Sequence, residues 1–311
     1  MQNKIPAQFF DRLKLIIPST HFEQCYHSFH SAKSTCFRIN SLKTTSEEVE
    51  SILKNAGIPF RELNEIENVY IIQPEHRRQL TESRLMSEGM IYIQNPSSMI
   101  AVKALNPQPG EEILDLTAAP GGKTLYIADL MKNQGRIAAV EAVKSRFFKL
   151  KNNIKTYGAT IVDCYLKDGI TIGKKVPNRF DRVLLDAPCS SESRFHSNNP
   201  KSYQYWSDKK IKQMAKKQKK LILSAVDALK PGGKLVYCTC SFAPEENEAV
   251  IQWLLNKQTD LEILPLNLPI PNTQPGLTHW QDQTFSPDLS LAQRILPNNI
   301  WNGMFICLLS K

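Results

Sequence analysis

The chain has 311 residues, with 39 basic against 30 acidic side chains and a formal net charge of +9. That length buries a sizeable core without an oligomer, so a monomer of one large and one small domain is expected, and the basic balance makes a polyanion, nucleic acid first, the natural partner. No apolar segment follows a basic start and no run of about 18 apolar residues occurs, so neither a signal peptide nor a membrane span is predicted. Seven cysteines without disulfide-like spacing fit free thiols in a reducing, cytoplasmic setting.

Residues 1–35 read as mainly helical with weak patterning. Residues 36–73 read as a small α+β unit: "CFRIN" is strand-like, and Thr45 with Glu48 forms a capping box before a helix carrying Val49, Ile52, Leu53 and Ala56 at helical spacing. Gly57 ends that helix, and "IPFREL" and "NVYIIQ" follow as short strands. From residue 85 the rhythm becomes strand, turn, helix, repeated through "EEILDL", "GRIAAV", "ATIVDCYL", "FDRVLLDAP" and "GGKLVYCTCS". Such alternation predicts an α/β fold, a parallel sheet covered on both faces, with ligands bound outside the carboxyl ends of the strands.

The turn "DLTAAPGGKT" ends like a phosphate-binding loop, but Thr117 stands where that loop requires glycine, and Gly-x-Gly-x-x-Gly is absent. What remains is a tight strand-to-helix turn in which Gly121 and Gly122 permit close backbone approach. Glu141 ends the next strand about 20 residues on, where a carboxylate accepts both ribose hydroxyls of an adenosine. A nucleoside without a pyrophosphate, such as S-adenosylmethionine (SAM), suits these features; a glycine turn chosen for packing suits them too.

Cys189 follows the fourth of these strands in "LLDAPCSSESRF", and Cys240 ends the fifth in "YCTCSFAPEENE". Each cysteine taken alone also reads as a small buried apolar residue, and an ordinary thiol is only ~3% thiolate at neutral pH. Together with Asp186 and a SAM-type turn they have one chemical use. Thiolate addition at carbon 6 of cytosine makes carbon 5 nucleophilic toward a methyl donor, with an acid positioned against ring nitrogen 3. Cys238 and Cys240 lack zinc-site spacing, and His21, Cys25, His27 and His30 have no second ligand pair, so no metal is predicted.

These residues resemble the Nol/Nop/Sun (Fmu) family of RNA (cytosine-5)-methyltransferases over nearly the whole chain. "FRIN" resembles the family's Arg-x-Asn segment, "IYIQNPSSM" its lead-in to the catalytic domain and "AAPGGKT" its SAM loop. "DAPCS" and "YCTCSFAPEENE" match its two cysteine motifs, and "RILPNNIWNGMFICLLSK" its closing strands. The resemblance implies a Rossmann-like core with a mostly parallel seven-stranded sheet at 85–311, behind a helical and small α+β, RNA-recognition-like region at 1–84. It also implies Cys240 as nucleophile, Cys189 as the thiol assisting release, and Asp186 and Lys123 in the catalytic pocket. Ala118, Ala119, Pro120, Gly121, Gly122, Lys123, Thr124, Glu141, Asp168 and Asp186 would line the SAM site. Ribosomal RNA is the expected substrate and transfer RNA the near alternative. DNA methylation by similar chemistry, or an RNA-binding factor that keeps the fold without catalysis, are the competing readings. Ser191, Glu192 and Ser193 stand where the family usually has glycines, and Asn95 and Pro96 where an acid and a small residue are usual.

"KKIKQMAKKQKK", residues 209–220, carries seven lysines and no acid. Ile211, Met214, Leu221, Ile222 and Ala225 keep an apolar helical stripe through it, so the lysines crowd the solvent face, where RNA phosphates would bind. Tyr203, Tyr205 and Trp206 just before it read either as base-stacking aromatics or as an anchor for the loop.

Overall fold

The computed structural model describes residues 4–268, 270 and 272–311. It opens with two helices, α1 (Ala7–Ile16) and α2 (Ser19–Ser28), each entered through a proline. A small antiparallel sheet follows: β1 (Thr35–Ile39), helix α3 (Ser46–Asn55), β2 (Arg61–Glu62), β3 (Val69–Ile72), short helices α4 (Arg77–Thr81) and α5 (Arg84–Ser87), and β4 (Ile91–Ile93), in the order β2-β3-β1-β4. The Thr45 side chain caps α3 by accepting from the Glu48 N–H, while the Glu48 carboxylate turns to the Thr44 hydroxyl. Val49 and Leu53 seal the helix against the sheet.

Two groupings differ from the sequence reading. β4 pairs with β1, with Phe37 opposite Ile93, so residues 85–93 complete the small sheet rather than open the catalytic core. A three-residue strand shows no alternation of its own, and its partner lies more than 50 residues away. The first two helices, in turn, pack with the catalytic domain: Phe9 meets Phe195 and Phe242, and Arg12 donates to both oxygens of Glu245.

The "FRIN" segment joins the small sheet to the core. Arg38 is buried between the rings of Tyr92 and Tyr126 and pairs with Asp129 at 3.2 Å, and the Asn40 amide donates to the carbonyls of Gly89 and Tyr157.

The large domain runs α6 (Pro96–Leu105), β5 (Glu112–Asp115), α7 (Gly122–Leu130), β6 (Arg136–Glu141), α8 (Lys144–Tyr157), β7 (Val162–Leu166), α9 (Ile172–Lys175), β8 (Phe180–Asp186), α10 (Asp208–Ala228), β9 (Leu229–Thr239) and α11 (Glu248–Leu255). It closes with β10 (Glu262–Leu264), β11 (Thr273–Pro275), a hairpin of β12 (His279–Trp280) and β13 (Gln283–Thr284), β14 (Gln293–Ile295) and β15 (Met304–Ser310). The sheet order is β11-β14-β15-β9-β8-β5-β6-β7, with β5 to β9 parallel and the rest antiparallel. Seven positions are filled as expected, but the one beyond β15 is shared by β14 and β10, and β11 adds an eighth. Alternate residues serve opposite faces: Val183, Leu185, Leu235 and Tyr237 pack toward α10 and α11, and Leu184, Val236 and Cys238 toward α6 and α7. The chain leaves β5 toward β6 and β7, then crosses back to β8 and β9, so the strand order reverses at β5, where a crevice forms.

Candidate active site

That crevice holds a cavity of about 980 Å³. Its walls come from the ends of β5, β6, β8 and β9, with Tyr92 and Gln94 contributed by the small sheet and its exit. Asp186 lies opposite Cys238 in the parallel pairing of β8 with β9, so the chain leaving each strand carries Cys189 and Cys240 into the same space. Their sulfurs are 3.3 Å apart.

The two thiols are not equivalent. Cys240 is lowered from 9.0 to about 6, first because the Cys189 thiol donates to it and also because the Arg194 guanidinium faces it, both against the effect of burial. Cys189 moves the other way, since it gives that hydrogen bond, is itself desolvated and lies near the Glu246 carboxylate. Asp186 takes a hydrogen bond from the Lys123 ammonium at 2.6 Å. Burial works against a charged lysine, but the Asp186 carboxylate and Cys238 together hold Lys123 above its ordinary value.

The other half of the cavity is built on the glycine turn. Gly121 caps α7 at φ +111°, a conformation open to glycine, and a Cβ there would sit 3.0 Å from Leu150 Cδ1. A Cβ on Gly122 would meet the Tyr92 ring at 2.9 Å. Buried Asp115 accepts from the Thr124 hydroxyl with one oxygen, while the other has no hydrogen-bond partner among the described residues. Burial pushes this carboxyl up to about 6. Glu141 is buried at the end of β6, accepting from Val143 N–H at 2.8 Å and facing Arg146 at 3.4 Å. An unpartnered acid for an ammonium, a carboxylate at the second strand end for a ribose and a close-approach glycine turn fit SAM.

Of the residues expected from sequence, Ala118, Ala119, Pro120, Gly122, Lys123, Glu141, Asp168, Asp186, Cys189 and Cys240 line this one cavity. Gly121 and Thr124 stand behind it, as the cap of α7 and the partner of Asp115. Lys217 of the lysine-rich helix reaches the cavity wall. Trp206 is an anchor: its indole N–H donates to Glu192 at 2.8 Å and its ring meets Phe9 edge-on. Tyr205 is 78% exposed. Among the described residues no group of His, Cys, Asp and Glu is arranged to hold a metal, and no helix is long and apolar enough to cross a membrane.

Sequence reasoning missed Asp115, Arg194 and the buried carboxylates Glu192 and Glu246. Asp115 carried a signal, as an acid closing the strand before the glycine turn. The others lie in short turns, where only tertiary packing brings Arg194 and Glu246 to the thiols and Glu192 to the residues after Cys240.

Residues 102–310 match the family model of the 16S rRNA methyltransferase RsmB/F. The chain belongs to this family. It is 39% identical to a tRNA (cytosine(49)-C(5))-methyltransferase of Pyrococcus abyssi, over 84% of this chain and 83% of that one. Ribosomal RNA small subunit methyltransferase F of Escherichia coli is 35% identical over 88% of the chain, which spans 58% of that enzyme's length. A solved methyltransferase homolog from Pyrococcus horikoshii superposes with a TM-score of 0.79 at 31% identity, covering 99% of this chain and all of that one. The RsmB/F-type core and its kinship with RNA cytosine-C5 methyltransferases are thereby established.

Proposed function

We propose that this chain methylates carbon 5 of a cytosine in RNA through a covalent adduct on Cys240. The observation that carries the proposal is the asymmetric thiol pair: two sulfurs 3.3 Å apart, with Cys240 acidified and Cys189 kept as a thiol. SAM, held by the glycine turn, Asp115, Glu141 and Asp168, supplies an electrophilic methyl group when bound.

Cys240 thiolate adds to carbon 6, forming a C–S bond and shifting electron density to carbon 5 and ring nitrogen 3. Asp186, the carboxylate partner of the Lys123 ammonium, faces nitrogen 3 and the amino group and relays to the ring nitrogen a proton drawn from Lys123. Once carbon 5 carries its methyl group, solvent water takes the carbon 5 proton, the carbon 5–carbon 6 double bond re-forms and the C–S bond breaks with its electron pair leaving on the Cys240 sulfur. Cys189 hydrogen-bonds the departing sulfur, and nitrogen 3 returns its proton. The lysine face of α10 holds RNA phosphates, and the small sheet through Ile93 forms the second wall for the RNA. The enzyme works as a cytoplasmic monomer without a metal.

Ribosomal RNA is the first substrate assignment, in keeping with the family model; transfer RNA is favoured by the archaeal relative of similar length. Purified wild type, Cys189→Ala and Cys240→Ala are incubated with SAM and RNA lacking 5-methylcytosine, and adducts are resolved on denaturing gels. An adduct that accumulates with Cys189→Ala and is absent with Cys240→Ala is expected. The reverse pattern exchanges the two roles, and no adduct or methyl transfer from any version overturns the proposal. Separate incubation with ribosomal and transfer RNA decides the substrate.

A further inference from the structure

Behind the two thiols lies a buried polar hub that the reaction scheme does not use. Its centre is Glu246, in the turn after Cys240, with no exposed surface. The carboxylate accepts from the Ser190 N–H at 2.9 Å, on the loop that carries Cys189. It lies 3.0 Å from the Ser241 hydroxyl, next to Cys240. It also accepts from the Gln218 amide at 2.8 Å, in the middle of the lysine-rich helix α10. One side chain thus ties together both cysteine loops and the helix proposed to meet RNA.

Gln218 is a polar residue on the buried face of α10. Its amide nitrogen donates to Pro188 O at 3.0 Å as well as to Glu246, which fixes the orientation of the amide. The amide oxygen is then buried without a partner among the described residues. A core that served packing alone would place an apolar residue here, because an unpaired acceptor is costly. The two donors are what the position supplies.

A second buried carboxylate, Glu192, lies across the same hydroxyl: Ser241 Oγ is 2.9 Å from Glu192 and 3.0 Å from Glu246. One hydroxyl has one proton and cannot donate to both. Glu192 also accepts from Phe242 N–H, Ala243 N–H and the Trp206 indole, so it is the better-held anion. Glu246, with the backbone of Ser190 and the amide of Gln218, is the one whose charge is marginal; burial pushes it up to about 7. The remaining titratable groups facing it are Cys189 and Tyr237, whose hydroxyl donates to the Glu246 carbonyl at 2.6 Å.

We propose that Glu246, steadied by Gln218, is a positioning residue that holds the two cysteine loops together and keeps Cys189 the neutral partner of the pair, leaving the negative charge to Cys240. Arg194 attracts charge on the Cys240 side and Glu246 repels it on the Cys189 side. The division of labour assigned to the thiols under the covalent reading rests on this asymmetry, but the asymmetry exists whether or not RNA is methylated.

The test therefore reads thiols, without RNA. Full-length wild type and Glu246→Gln are alkylated with limiting iodoacetamide, and the Cys240 to Cys189 labelling ratio is measured by peptide mass spectrometry. If the Glu246 charge shifts Cys189 by about one pKa unit, the ratio falls roughly fivefold in the variant at about pH 8, where Glu246 is ionised. At about pH 6, where wild-type Glu246 carries a proton, the two proteins converge to within about twofold. A residue that only braces the loops would change the ratio equally at both pH values, and that result, or an unchanged ratio, overturns the proposal. Gln218→Met keeps the volume and apolar face of α10 and removes a donor from Glu246, so it shifts the ratio in the same direction by a smaller factor; it serves where Glu246→Gln does not fold. A normal ratio shift with no methyl transfer from wild type would refute the covalent function and leave this inference standing.

Discussion

Replacing Arg194 with methionine tests how the site activates its nucleophile. The guanidinium faces Cys240 and lines the same cavity, and it is one of the groups that bring the thiol down to about 6. A desolvated cation beside an anionic group is worth ~1 to 3 pKa units, and the hydrogen bond from Cys189 is untouched by the change, so a rise of about one unit is the conservative expectation. The sign depends on which form reacts. In the proposed reaction Cys240 works as the thiolate, so activity is lost as pH falls through its pKa, and raising that pKa moves the loss to higher pH. With a thiol at about 6, the thiolate fraction is about one half at pH 6; raised to about 7, it is about one tenth. Arg194→Met should therefore lose about fivefold in kcat/KM near pH 6 and almost nothing near pH 8, where both forms are over roughly 90% ionised in a two-state titration. Single-turnover methylation across that range, with iodoacetamide reactivity of Cys240 tracked in parallel, measures it. A loss of the same size at every pH, with unchanged thiol reactivity, would show that Arg194 acts on RNA or on loop structure instead.

Three further outcomes are expected. Gly121→Ala forces a side chain into a φ of +111° and against Leu150, costing ~1 to 3 kcal/mol by thermal melting, and it weakens SAM binding in calorimetry because the start of α7 shifts. Lys212→Gln with Lys216→Gln weakens RNA binding and flattens the slope of log affinity against log salt by ~0.7 per lysine for a single strand, with SAM affinity unchanged; an unaltered slope would remove α10 from the RNA path. Arg294 and Glu248 form a buried pair at 2.5 Å, so Arg294→Met destabilises by ~3 to 5 kcal/mol in urea, and adding Glu248→Met recovers most of it.

The features legible in sequence were those that repeat or are local. The parallel strands are apolar runs with a periodic neighbour helix, and the glycine turn and both cysteines sit at their ends, so the pocket could be assembled from order alone. The lysine-rich helix is legible for the same reason: of its stripe Ile211, Leu221, Ile222 and Ala225 are buried and Met214 is half-buried. β4 is not legible because three residues have no period, and α1 groups with the small sheet in the sequence because its partners Phe195 and Phe242 are more than 180 and more than 230 residues away. Arg194, Glu192 and Glu246 were invisible on other grounds. A charged residue in a loop is ordinarily solvated, and its burial comes from packing that no local pattern encodes.

The loop after Cys189 shows how a different local sequence reaches a workable geometry. Ser191 occupies a position at φ +61°, where glycine would be free of strain. The cost of a serine there is offset by the contacts of its neighbour Glu192. That side chain is drawn into the core, where Phe242 N–H, Ala243 N–H, the Ser241 hydroxyl and the Trp206 indole all donate to it. Three of those donors lie on the residues directly after Cys240, so the carboxylate staples the Cys189 loop to the Cys240 loop from the opposite side to Glu246. Trp206 carries the same staple to the start of the lysine-rich helix. Glycines would make this loop compliant; here two buried acids hold it, with the sulfurs 3.3 Å apart. Replacing Ser191 with glycine should therefore leave the thiol pair in place and relieve the backbone, whereas replacing Glu192 with glutamine should loosen the pair while leaving the SAM half of the cavity intact.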